Sequence, residues 1–125
     1  MFSRFGPAAR RILRVAEQEC RNHNHFYVGA EHMLYALLEE HDPAVDDALT
    51  REQCSPSDIH AKLKRAMGMG DDRMWEGILL TPRVRRIVTR AEEIAGSRPV
   101  EPLDILLAIR CEGGMAAELL EQPGS

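Results

Sequence analysis

Cysteine is sparse: Cys20, Cys54 and Cys111 are the only three in 125 residues, an odd number at spacings that form no pair. Such usage builds no disulfide framework and asks for no oxidising compartment. Cys20 falls on the apolar stripe of a helical segment, where a free thiol behaves as a small hydrophobe. No apolar run is long enough to span a bilayer, and Met1-Phe2-Ser3-Arg4 lacks the apolar centre of a signal peptide. The expected location is the cytoplasm, with no membrane partner. The phosphate-cradling pattern G-x-x-x-x-G-K-[ST] is missing, which excludes nucleotide hydrolysis by that route. So is the G-x-S-x-G elbow. Apolar alternation is absent too, so no strand is expected. The formal net charge of −4 argues against a general nucleic-acid binder.

What the chain does have is a repeat. Shifted by 75 positions, Pro7, Ala9, Arg10, Arg11, Ile12, Leu13, Ala16 and Glu17 fall on Pro82, Val84, Arg85, Arg86, Ile87, Val88, Ala91 and Glu92. Shifted by 72, Met33, Leu34, Ala36, Leu37 and Glu40 fall on Ile105, Leu106, Ala108, Ile109 and Glu112. The offsets differ because the second loop is three residues shorter. A helix-loop-helix unit used twice implies a single domain in two related halves. Its length suffices to bury a core without staples. The halves are expected at about 1–67 and about 78–122, with a linker over about 68–77 where Gly68-Met69-Gly70-Asp71-Asp72 breaks the helical period.

Apolar spacing predicts helices over Pro7–Arg21 and Ala30–Glu40, then from Pro43 through Leu49 and from Pro56 through Met67. Three more run from Pro82 to Ala95, from Pro102 to the Gly113-Gly114 break, and from Met115 to Leu120. Proline suits a first helical turn, and Ser55-Pro56 and Thr81-Pro82 add a capping hydroxyl. Gly29 is expected to supply a backbone angle that other residues avoid. The fold class is all-α, with about seven helices in two pseudo-symmetric halves.

The chemistry-bearing residues gather near Asn24-His25-Phe26-Tyr27-Val28-Gly29-Ala30-Glu31-His32, a loop that delivers a Glu-His pair to a helix start. Glu31 is either an ordinary first-turn acid at the positive helix end or a carboxylate placed for a cationic ligand group. Cys20, His23, His25 and His32 form the one metal-like cluster, but no second ligand pair stands at zinc spacing, so neither metal nor cofactor is expected. Phe2, Phe5 and Ile78-Leu79-Leu80 precede equivalent helices. They either close the core or frame an apolar groove flanked by Arg10 and Arg85. The arginines Arg10, Arg11, Arg14 and Arg83, Arg85, Arg86 read as solvated helix faces or as a small regulatory nucleic-acid surface.

These segments resemble a known family. Phe2-x-Arg4-Phe5 with Ala9-Arg10-Arg11 is similar to the start of the ClpC branch of the Clp ATPases. Asn24-His25-x-Tyr27-Val28-Gly29-x-Glu31-His32-x-Leu34 resembles the N-H-x-Y-[IV]-G-T-E-H-[IL]-L signature of the Clp N-terminal domain. Leu80-Thr81-Pro82-Arg83 resembles the start of its second repeat, and Glu112-Gly113-Gly114 its closing turn. The resemblance implies a module without catalysis that sits on a hexameric AAA+ unfoldase and receives substrates or adaptor proteins. It implies that Glu31 binds the guanidinium of phosphoarginine-tagged proteins, with the phosphate near a helix N-terminus. It also implies that Phe2, Arg10, Leu13, Leu80, Thr81 and Arg85 belong to a peptide- and adaptor-binding surface.

Several positions depart from the family pattern. Ala30 stands for the threonine before Glu-His, Gly6 for a polar residue before the first helix, and Leu80 for a phenylalanine. Leu103 and Asp104 occupy the Glu-His positions of the second repeat. That repeat is also expected to lack its last helix, leaving seven where eight are usual. No ATPase segment is present, so the expectation is a free-standing homologue or a piece of a larger chain.

Overall fold

The computed structural model describes residues 4–22, 27–67 and 79–121. They form seven helices: α1 (Pro7–Asn22), α2 (Ala30–Glu39), α3 (Pro43–Arg51), α4 (Pro56–Met67), α5 (Pro82–Ala95), α6 (Pro102–Glu112) and α7 (Gly114–Glu121). Five of them open on proline, whose missing N–H costs nothing in a first turn. Side-chain caps complete three starts. Asp42 accepts from the Ala44 and Val45 amides at 3.0 and 3.3 Å, Ser55 from Asp58 at 3.4 Å, and Thr81 from Val84 at 3.2 Å. Each removes an otherwise orphaned donor, a contribution of about 1 kcal/mol.

Burial follows the expected stripes. On α1 these are Ala9, Ile12, Leu13, Ala16 and Cys20, and on α5 Val84, Ile87, Val88, Ala91 and Ala95. The two central helices are different. On α2 everything from His32 to Leu38 is buried, and α6 buries Ile105, Leu106, Ala108 and Ile109. A helix apolar on most of its circumference belongs inside. Accordingly α2 packs on α6, while α1 and α5 each lie across both. Fully buried alanines at 9, 16, 36, 91 and 108 let these helices approach closely. The halves also cross over, with α3 against α6 and α7 against α2.

The absence of strands is corrected in a small but informative way. Tyr27–Val28 (β1) and Leu79–Leu80 (β2) pair in parallel, with Val28 opposite Leu80, and Phe5 bridges Val100 in parallel. These two pairings are the same contact made twice. Moving Phe5 by 75 gives Leu80, and moving Val28 by 72 gives Val100. The Gly6 amide donates to Val100 O at 2.9 Å, and its counterpart Thr81 donates to Val28 O at 3.2 Å. Two-residue pairings are too short to show alternation, so they could not be read from pattern. Gly29 also departs from expectation: its φ of −100° is ordinary extended backbone.

Surface ion pairs obey the same symmetry. Arg11 binds Glu40 at 2.6 Å, and Arg86 binds Glu112 at the equivalent place. The symmetry ends at α4, which lays Ile59 and Leu63 on the first repeat and stacks His60 on Tyr35 with ring centroids 4.2 Å apart. No described element covers α6 in this way. Leu107, the counterpart of Tyr35, is the one large hydrophobic side chain exposed among the described residues. The expected linker over 68–77 lies outside the described residues.

Candidate functional site

The crossed pairings build two corners. At the first, β1 and β2 bring the N-terminus of α2 beside that of α5, so Glu31 and Thr81 open helices whose starts converge. Both residues are half-buried, while Val28, Gly29 and Ala30 beneath them are buried. Leu80 joins this corner through its backbone pairing with Val28. His32 turns inward and is buried. Its Nδ1 accepts from the Gly29 amide at 2.9 Å, which leaves the proton of the neutral ring on Nε2. His32 therefore tethers the loop to the helix, and Glu31 is the group of the pair left at the surface.

At the second corner, Phe5, Gly6 and Pro7 meet Val100, Glu101 and Pro102. Asp104 takes the place of His32 and does the same work, accepting from the Glu101 amide at 2.9 Å. Arg98 adds two bonds to its carboxylate at 2.7 and 2.8 Å. Burial pushes the Asp104 carboxyl up. The Arg98 hydrogen bonds, the Glu101 N–H and the Arg98 charge together outweigh that and hold it below the usual carboxylate range. Leu103 stands where the first corner has Glu31, and Gly6 where it has Thr81. A Cβ on Gly6 would lie 3.2 Å from Val100 O, so the close pairing here favours glycine. The second corner thus has neither an outward first-turn carboxylate nor a capping hydroxyl.

The remaining candidates separate. Leu13 and Phe5 are buried in the core, which is the core-closing reading for both. Arg10 is exposed on α1, and its Nε donates to Phe5 O at 2.9 Å. It lines a hollow of about 620 Å³ on the Phe5 side. Arg85 is exposed on α5 and lines a different hollow of about 280 Å³ with Arg86, Thr89, Arg90, Glu93 and Glu112. Phe2 and Ile78 lie outside the described residues. The structure therefore joins Glu31, Thr81 and the Leu80 backbone at one corner and places Arg10 and Arg85 in separate hollows.

Two polar clusters escaped the sequence reading. Arg98 was not singled out, although its position six residues before Asp104 spans the loop that the pair closes. The Tyr35, His60 and Glu39 group depends on where α4 docks, which no local pattern reveals. There His60 Nε2 lies 2.7 Å from Glu39 Oε1. Burial first, then the Glu19 and Glu39 charges and a hydrogen bond to Glu39, push the Tyr35 hydroxyl up to about 12. Of the metal-like cluster, Cys20 is wholly in the core and His32 is committed to Gly29, while His23 and His25 lie outside the described residues. Among the described residues no three His, Cys, Asp or Glu side chains form a metal-holding group. No described helix is long and apolar enough to cross a membrane.

Known proteins are similar to this chain in sequence. The model of the Clp repeat (R) N-terminal domain matches residues 4–123. The chaperone protein ClpC of Pisum sativum chloroplasts is 29% identical over 129 residues, covering 100% of this chain and 14% of that protein. A chloroplastic ClpA homologue of Brassica napus, described as an ATP-binding subunit of an ATP-dependent Clp protease, is also 29% identical over all of this chain and 15% of its own length. The chaperone protein ClpB of Oceanobacillus iheyensis is 30% identical over 128 residues, 99% of this chain and 16% of that protein. The chain thus spans about a seventh of the relatives it matches. With the match running through both halves of the duplicated fold, the chain belongs to the Clp N-terminal domain family.

Proposed function

We propose that the chain is a non-catalytic docking module for protein substrates or adaptors of a Clp-type AAA+ unfoldase, and that its Glu31 corner recognises phosphoarginine. The observation that carries this reading is the asymmetry between the corners. Only the α2–α5 corner joins a first-turn surface carboxylate to a capping hydroxyl at converging helix starts. At the other corner the exposed Glu101 precedes the first turn of α6 and faces Arg98 at 3.7 Å. A guanidinium bonds a carboxylate with two parallel N–H groups, which Glu31 can accept. The phosphate of the same modified side chain suits the positive end of α5. Thr81 Oγ accepts from the Val84 amide, and its own O–H remains a donor for a phosphate oxygen. Ala30 removes one hydroxyl from this corner, so affinity rests more heavily on Glu31. No acid–base pair or nucleophile is needed for this task.

Calorimetry with a phosphoarginine peptide tests the reading. Wild type should bind, and Glu31→Ala should bind at least about tenfold more weakly, a loss of about 1.4 kcal/mol. Equal affinity in both proteins would remove Glu31 from the site.

A further inference from the structure

The hollow beside Arg10 is lined by five arginines, Arg4, Arg10, Arg11, Arg14 and Arg98, and by no acidic residue. Its apolar wall comes from Phe5, Pro7 and Pro99. Two of the guanidiniums are already engaged at its edge, Arg11 with Glu40 at 2.6 Å and Arg98 with Asp104 at 2.7 Å. Arg10 is anchored by its Nε on Phe5 O. Arg4 and Arg14 are exposed and form no ion pair among the described residues. The hollow on α5 overlaps it by symmetry at three positions only, Arg85, Arg86 and Thr89, and is of mixed charge. Thr89 replaces Arg14 there, and Glu93 and Glu112 share the lining with three arginines.

We infer that this hollow is a second docking seat, distinct from the Glu31 corner, and that it takes a carboxylate-rich peptide segment. Arg4 and Arg14 supply the charge, and the wall of Phe5, Pro7 and Pro99 supports aliphatic parts of the same segment. The neighbouring Arg11–Glu40 and Arg98–Asp104 pairs show the chemistry in miniature, since these guanidiniums already hold carboxylates. A nucleic acid fits less well. It would run past a hollow of about 620 Å³ onto the surface of a chain whose net charge is −4. Binding in the hollow is charge-driven and therefore salt-sensitive.

Fluorescence anisotropy with a labelled glutamate-rich peptide, its glutamine counterpart and single-stranded DNA tests the assignment. The glutamate peptide should bind at low salt, weaken several-fold at physiological salt, and outcompete both other probes. Arg14→Glu should weaken it at least about tenfold and Arg14→Gln by less, because reversal adds repulsion to the lost attraction. Arg90→Glu in the α5 hollow should leave the affinity unchanged. Circular dichroism identical to wild type confirms that each variant is folded. Glu31→Ala should leave the affinity for the glutamate peptide unchanged, which separates this seat from the Glu31 corner whether or not that corner binds phosphoarginine. Equal binding of the glutamine peptide, tighter binding of DNA, no effect of either Arg14 substitution, or loss of binding on Glu31→Ala would each overturn it.

Discussion

Leu106→Ala is expected to cost about 3 kcal/mol and to lower the thermal midpoint by about 10 °C, and Leu34→Ala to do the same. The two leucines are symmetry counterparts on α2 and α6, and both are completely buried. Truncating either removes its transfer energy and leaves a cavity that two tightly packed helices cannot close. Leu107→Ala, one position along the same helix, should cost well under about 1 kcal/mol because that side chain is 38% exposed. Thermal unfolding followed by circular dichroism decides this. The more diagnostic feature is the shape of the transition. Because the halves share one core, each central truncation should shift a single cooperative transition. A Leu34→Ala protein in which only part of the signal moves would mean two independently folding repeats.

Asp104→Ala is expected to destabilise the chain by about 2 kcal/mol, since it leaves the Glu101 amide without its acceptor at a buried helix start. The pH dependence gives a second readout. The folded-state carboxyl is held below its ordinary range, so its contribution is fully present above the unfolded value of about 4 and is lost as pH falls through the folded one. Asp104→Asn keeps an oxygen for the Glu101 amide but loses the charge opposite Arg98. Urea melts should therefore show a gap between wild type and Asp104→Asn at neutral pH that narrows in acid. A gap unchanged down to about pH 3 would show that the ionised carboxylate contributes nothing there.

Much of this architecture was legible because the duplication is carried by residues with strong local meaning. Pro7 and Pro82 start equivalent helices, and Ile12, Leu13, Ile87 and Val88 point the same face inward. The offsets of 75 and 72 also carry Arg11–Glu40 onto Arg86–Glu112, an ion pair no periodicity describes. Glu31 and Thr81 stand out in the sequence as a first-turn acid and a capping hydroxyl, with their joint binding role implied by the resemblance. Nothing in the sequence says that they share a corner. That comes from β1 and β2, which are two residues long and held by partners more than 50 positions away. Contacts of that kind depend on the assembled fold and leave no trace in a local window. Arg10 and Arg85 illustrate the opposite limit. Their equivalence was correct, but symmetric positions on separate helices lie in separate hollows, and only one of those is purely cationic. Gly29 shows that a glycine need not mark unusual backbone, because its place before α2 is extended.

Amide chemical-shift mapping with a phosphoarginine peptide reaches the heart of the account, which is that a duplicated hairpin has kept one working corner and lost the other. The largest changes should fall on Gly29, Glu31 and Thr81, with Gly6, Leu103 and Asp104 unmoved. Changes centred on Gly6 and Leu103, or none at saturating peptide, would contradict it.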